Sequence, residues 1–103
     1  MFVAVYEWHV HPGKEEQFRA AWRRGTELIT ARYHSCGSRL HQEQDGRFIG
    51  VAEWPDKATW QTAFDKRMVY DDPDTRASFR DAVISGKVLL TMQVTDNLLT
   101  RYP

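Results

Sequence analysis

The sequence has few of the features that would disclose a function by composition. Its single cysteine, Cys36, excludes an intramolecular disulfide framework. No apolar run approaches the roughly 20 residues that a membrane span needs, and no signal-like segment opens the chain. A soluble, cytoplasmic protein with no membrane partner is therefore expected. Charge of either sign is not in excess, because Lys plus Arg and Asp plus Glu each total 14 and neither forms a block. That balance argues against a nucleic-acid partner. There is no Gly-rich phosphate loop or dinucleotide fingerprint, so no nucleotide cofactor is expected. Metal binding is not expected either. His9 and His11 stand two apart, but Pro12-Gly13 ends the strand there and no third ligand follows at a reliable spacing.

What the chain does have is aromatic surface, at 13% of its 103 residues, and clear punctuation. The length suits one domain, residues 1–103, with a modest core. "MFVAVYEWHV" is rich in β-branched and aromatic residues and stops at Pro12-Gly13, which predicts a strand. Alternation places Phe2, Ala4, Tyr6, Trp8 and Val10 on one face, with Val3, Val5, Glu7 and His9 on the other. From Lys14 the apolar period lengthens to three and four residues through Phe18, Ala21, Trp22, Gly25 and Ile29, predicting a long amphipathic helix ended by "HSCG". Gly25 on the apolar stripe suggests the close approach of another backbone.

"SRLHQEQDGRFIGVAEW" reads as a hairpin about Asp45-Gly46, a dipeptide suited to a two-residue type I′ turn. That turn pairs Leu40 with Val51 and His41 with Gly50. Leu40, Ile49 and Val51 then share one face, and Arg39, His41, Glu43, Phe48 and Trp54 share the other. Asp56 is a good N-cap for a helix that buries Trp60, with Pro55 as a hydrophobic staple and Phe64 and Met68 continuing the stripe. After "YDDPD", Asp74 caps a third helix, "TRASFRDAVIS", closed by Gly86 before a last strand and the tail "LLTRYP".

The order is strand, helix, strand, strand, helix pair, strand. It predicts an α+β, ferredoxin-like split βαβ fold, with a four-stranded antiparallel sheet covered by helices on one face. The uncovered face, expected to carry Val3, Val5, Phe48, Ala52 and Trp54, calls for a second copy. A homodimer pairing as a dimeric α/β barrel is expected. Glu7, His9, Arg39, His41 and Glu43 point toward that face and read as an interfacial ion-pair and hydrogen-bond network.

Between sheet and helices this architecture gathers Tyr6, Trp8, Trp22, Trp60, Phe64, Met68 and Phe79. They read either as core or as a slot for a flat, apolar or aromatic small molecule. Tyr6 adds a hydroxyl able to bond a phenolic or quinone oxygen. His41 titrates near neutrality and is a candidate general base. Arg67 and Arg76 bracket "MVYDDPD" and stand as candidates to attract an acidic substituent, or as solvated helix-face charges. Cys36 lacks the positioned base that a nucleophile needs.

The opening strand with "HVHPGKEEQF", the hairpin and the corner "VAEWPDKATW" together resemble the antibiotic biosynthesis monooxygenase domain family of the dimeric α/β barrel superfamily, over about residues 2 to 97. The resemblance implies an oxidoreductase: a cofactor-independent monooxygenase acting on an electron-rich, quinone- or anthrone-like aromatic. It equally accommodates a non-catalytic dimer of the same fold that binds a small ligand or serves as an interaction protein. Haem-degrading relatives carry a first-strand Asn and, beyond the Trp corner, a helical Trp and a haem-ligating His. Here the first strand has no Asn, Ala63 holds the helical Trp position and no His follows His41, so no haem cofactor is implied.

Overall fold

The computed structural model describes residues 1–100. Strand β1 (Phe2–Val10) leads to helix α1 (Glu15–Tyr33), then to strands β2 (Ser38–Gln42) and β3 (Phe48–Trp54). Helices α2 (Lys57–Asp65) and α3 (Pro73–Ala82) precede strand β4 (Val83–Gln93). The sheet order is β2-β3-β1-β4 and every pairing is antiparallel, as the split βαβ expectation requires. Of the expected tail "LLTRYP", residues 101–103 lie outside the described residues; residues 94–100 have no regular structure.

The hairpin departs from the expected register. The Glu43 amide donates to the Arg47 carbonyl and the Gly46 amide to the Glu43 carbonyl, so the loop contains three residues, Gln44, Asp45 and Gly46. Gly46 takes φ 96°, the left-handed position such three-residue loops require. The extra residue shifts every pair by one: Leu40 lies opposite Gly50 and His41 opposite Ile49. Since side chains alternate, a one-residue slip changes their company throughout the strand. Phe48, Ala52 and Trp54 therefore join Leu40 on the helix-covered side, where all three are buried. The open face carries Val3, Val5, Ile49 and Val51, with Leu90 and Met92 beside them on β4.

The expected network on that open face also has different members. Glu7 is buried and bonded to Arg47, with Lys87 at 3.8 Å and His9 at 3.6 Å. Arg47 in turn meets Glu43 and Asp45, each at 3.4 Å. Arg39 and His41 make none of these contacts: they stand on β2, opposite Val51 and Ile49, with β3 between them and Glu7. Arg47 holds the Glu7 carboxyl below its ordinary pKa.

Two helix boundaries also differ. The cap of α3 is Asp72, whose side chain accepts from the Thr75 amide at 3.0 Å, and Pro73 takes the first turn, where its missing N–H costs nothing. Gly86 does not close that helix. It lies inside β4, where an added Cβ would stand 2.5 Å from Cδ1 of Trp8. Asp56 caps α2 as expected, accepting from the Thr59 amide at 2.7 Å.

The core forms two clusters rather than one. Phe2, Ala4, Tyr33, Ala52, Trp54, Trp60 and Ala63 make the first, with Tyr6, Ile29 and Met68 packed on it. Phe18, Phe48 and Ala82 make the second, joined by Trp8, Trp22, Leu40 and Phe79. α2 contributes Trp60 and Ala63 to the first cluster, and α3 contributes Ala82 and Phe79 to the second.

Candidate functional site

The gap between the two clusters is an open cleft of about 940 Å³. Tyr6 and Trp8 form its floor, stacked with ring centroids 5.8 Å apart at an interplanar angle of 17°. Glycines on both neighbouring strands make this floor possible. A Cβ on Gly50 would stand 2.8 Å from the Trp8 ring, and one on Gly86 closer still, so the indole lies across positions where any other residue would lift it. Phe79 meets Trp8 edge-on at 90°, an arrangement the ring quadrupoles favour.

α1 supplies one wall through Trp22, Gly25 and Ile29; the link between α2 and α3 supplies the other through Met68 and Tyr70. At Gly25 it is the Tyr70 side chain that comes close, its hydroxyl 2.8 Å from where a Cβ would stand, whereas a backbone was expected. The link is tied down where Tyr33 donates to the Val69 carbonyl. Arg67 and Met68 follow α2 with φ of 55° and 48°, a left-handed pair that reverses the chain at the mouth. Burial pushes the Tyr70 hydroxyl above its ordinary pKa, and the neighbouring Asp72 adds to this.

Of the residues singled out in the sequence, Tyr6, Trp8, Trp22, Phe64, Met68 and Phe79 all line this cleft. Trp60 stands behind Tyr6, its Nε1–H donating to the Tyr6 hydroxyl at 2.8 Å, and stacks on Phe64 at 4.9 Å. The Tyr6 hydroxyl is thereby fixed as an acceptor, while its own proton has no acceptor among the described residues. Burial raises the Tyr6 pKa, with the Trp60 bond pulling the other way. At neutral pH the phenol therefore keeps its proton.

Trp54 was expected near the uncovered face and instead lines the cleft at 1% exposure. Its Nε1–H has no partner, an uncommon condition for a buried donor. The corner "VAEWPDKATW" carries that signal in part, since a strand-end Trp before a capped helix packs against the same sheet face as the helix. The hairpin misregister hid it. His41 lies elsewhere. It borders a second concavity of about 570 Å³ along β2, with Arg19, Trp22, Arg23 and Phe48, and its Nδ1 is 3.3 Å from the Ile49 carbonyl. The structure does not bring Tyr6 and His41 to one cleft. No group of three potential metal ligands occurs among the described residues, and no helix is long and apolar enough to cross a membrane.

Comparison with known families matches residues 1–69 to the model of the family described as antibiotic biosynthesis monooxygenase. No curated protein sequence matches the chain. Among solved structures, a variant of SnoaB, a cofactor-independent oxygenase from Streptomyces nogalater, is similar with a TM-score of 0.69 at 15% identity, covering 94% of this chain and 95% of its own. A Bordetella bronchiseptica protein assigned to the antibiotic biosynthesis monooxygenases gives 0.73 at 20% identity over 91% and 96%. Rv0793 from Mycobacterium tuberculosis gives 0.68 at 11% identity over 95% and 98%. At such identities the structural likeness speaks for the fold.

Proposed function

The chain belongs to the antibiotic biosynthesis monooxygenase family, and from that premise we propose that it is a cofactor-independent monooxygenase for a flat, electron-rich aromatic bound in the central cleft. The observation that carries this reading is the Tyr6 hydroxyl, fixed by Trp60 at 2.8 Å on an aromatic floor with its proton free for a ligand. An apolar cavity with a few convergent polar groups is the usual form of a small-molecule site.

In such chemistry an anthrone-like CH₂ loses a proton to give an anion delocalised onto the ring oxygen. That anion delivers its electrons to dioxygen, the peroxide anion so formed takes up a proton from solvent, and the hydroperoxide loses water to leave a carbonyl. One oxygen atom enters the product and the other leaves as water. The protein's task is to hold the anion: Tyr6 Oη–H donates to its oxygen, and the unpartnered Trp54 Nε1–H is a further donor in the cleft lining. Donors aimed at developing charge are the main electrostatic means of lowering such a barrier. The departing proton passes to solvent at the open mouth. His41, beside the other concavity, has no part in this reading.

We further propose that the apolar stripe Val3, Val5, Ile49, Val51, Leu90 and Met92 is covered by a second copy of the chain. Leu90 and Met92 are 48% and 46% exposed in the single chain, and such a patch is costly to leave wet.

The test is oxygen consumption with an anthrone, alongside fluorescence titration of the tryptophans. Wild type is expected to bind the aromatic and consume oxygen, and Tyr6→Phe to keep binding within a few-fold while losing most of the turnover. Binding with no oxygen uptake by wild type would instead leave a non-catalytic small-ligand protein, and absence of binding would remove both readings.

A further inference from the structure

Resting on the oxygenase reading of the cleft, we propose that its aromatic substrate carries a carboxylate, received at the mouth by Arg67, Arg76 and Arg80. All three line the cleft, as does one acid, Asp65. Lys14 is paired with Asp81, Arg19 with Glu16, Arg24 with Asp72, and Arg47 and Lys87 with Glu7. None of Arg67, Arg76 and Arg80 has a carboxylate within ion-pair distance among the described residues. Arg23, Arg32, Arg39, Lys57 and Lys66 are likewise unpaired among the described residues, but none of them lines the cleft.

Two of the nearby acids are engaged elsewhere. Asp72 accepts from the Thr75 amide and faces Arg24, and Asp65 accepts from Gln61 at 2.8 Å. Arg76 and Arg80 are four apart on α3, both turned to the cleft with Phe79 between them in sequence. Like charges so spaced destabilise a helix slightly, and an anion between them would reverse that. Both are near enough to the Tyr70 hydroxyl to oppose the rise that burial causes in its pKa. The guanidinium fork matches a planar carboxylate in two-point contact, which a solvated lysine does not. The ring of an aromatic acid would thus lie on Trp8 and against Phe79 while its carboxylate met the arginines, which fixes which edge of the ring enters first.

A matched probe pair tests this: 1-hydroxy-2-naphthoate and 1-naphthol, titrated by tryptophan fluorescence at low salt. The naphthoate should bind about tenfold or more tightly, and the preference should shrink as salt is raised. The double variant Arg76→Gln with Arg80→Gln should remove most of that preference, through weaker naphthoate binding and with far less change for naphthol. Arg23→Gln, beside the other concavity, should preserve the preference. Equal binding of the two probes by wild type, or a preference that survives the double variant or vanishes with Arg23→Gln, would overturn the carboxylate inference while leaving the aromatic cleft intact. Failure of both probes to bind would overturn the cleft reading and this inference with it.

Discussion

The indole Nε1–H of Trp60 donates to the hydroxyl of Tyr6 at 2.8 Å, joining the first turns of α2 to the middle of β1. A helix cap and a strand alternation, 54 residues apart, thus set one donor geometry. Deleting either partner should therefore change the other's environment as well as the packing.

Trp60→Ala is expected to cost about 3 to 5 kcal/mol, as large-to-small changes at buried aromatics do. Trp60→Phe and Tyr6→Phe should each cost far less, and their double-mutant cycle should show a coupling of about 1 kcal/mol. Urea unfolding of the four proteins checks this. Additive losses would mean that the bond does not hold Tyr6 in solution.

The glycines offer a contrast. Gly86→Ala places a Cβ 2.5 Å from the Trp8 ring, in the floor of the cleft, and should destabilise by about 1 to 3 kcal/mol with a changed near-ultraviolet dichroism. Gly25→Ala meets only the far end of Tyr70, which can swing away, and gains about 1 kcal/mol of helix propensity. Its net effect should be near zero, with a wider cleft. A larger loss at Gly25 than at Gly86 would contradict the packing described.

Arg67 has φ of 55°, where a side chain is strained and glycine is not. Arg67→Gly should stabilise the fold by about 0.5 to 1 kcal/mol in thermal or urea unfolding, while weakening naphthoate binding. A gain in stability with a loss of ligand preference is what a strained mouth residue predicts, and a loss of both would show that its side chain supports the fold instead.

Acid should weaken the protein in a definite window. Glu7 beside Arg47, Asp56 and Asp72 at their caps and Asp81 beside Lys14 are all held below their ordinary pKa. A folded pKa below the unfolded one means stability present above the unfolded value, about pH 4, and lost as pH falls through the depressed values. The urea midpoint should be flat near neutrality and fall in that range. Glu7→Gln should lower it at pH 7 and flatten the acid limb. An unchanged limb would assign the acid loss to the caps and Asp81.

Assembly is checked by light scattering, which should give about twice the 12.1 kDa chain mass. Val5→Glu places an unpaired carboxylate in the middle of the apolar stripe and should shift the mass toward the monomer. A wild-type monomer at micromolar concentration would end the second-copy reading.

Much of the architecture was legible locally. Alternation in "MFVAVYEWHV" assigns β1 and both its faces, the longer period after Lys14 assigns α1, and Asp56 before "KATW" assigns the start of α2. Each signal lies within one element. The failures lie where two local signals competed. Asp45-Gly46 suits a two-residue turn, yet Gly46 serves equally at the left-handed end of a three-residue loop, and pairing with β1 decided between them. Pro73 made Asp72 the cap in place of Asp74 for the same kind of reason. Gly86 resembled a helix stop, although it is there to let Trp8 lie flat.

The sequence by itself determined the order of elements, the aromatic set and the family, because periodicity, caps and turn residues act over a few neighbouring positions. Only the tertiary structure decided that Trp54 lies in the cleft with its Nε1–H unpartnered, that Tyr6 is held by Trp60 while His41 stands apart, and that three arginines at the mouth lack acids. Those relations depend on strand register and on the spacing of helices across the sheet. A one-residue shift in register changes which side chains meet without changing any local pattern.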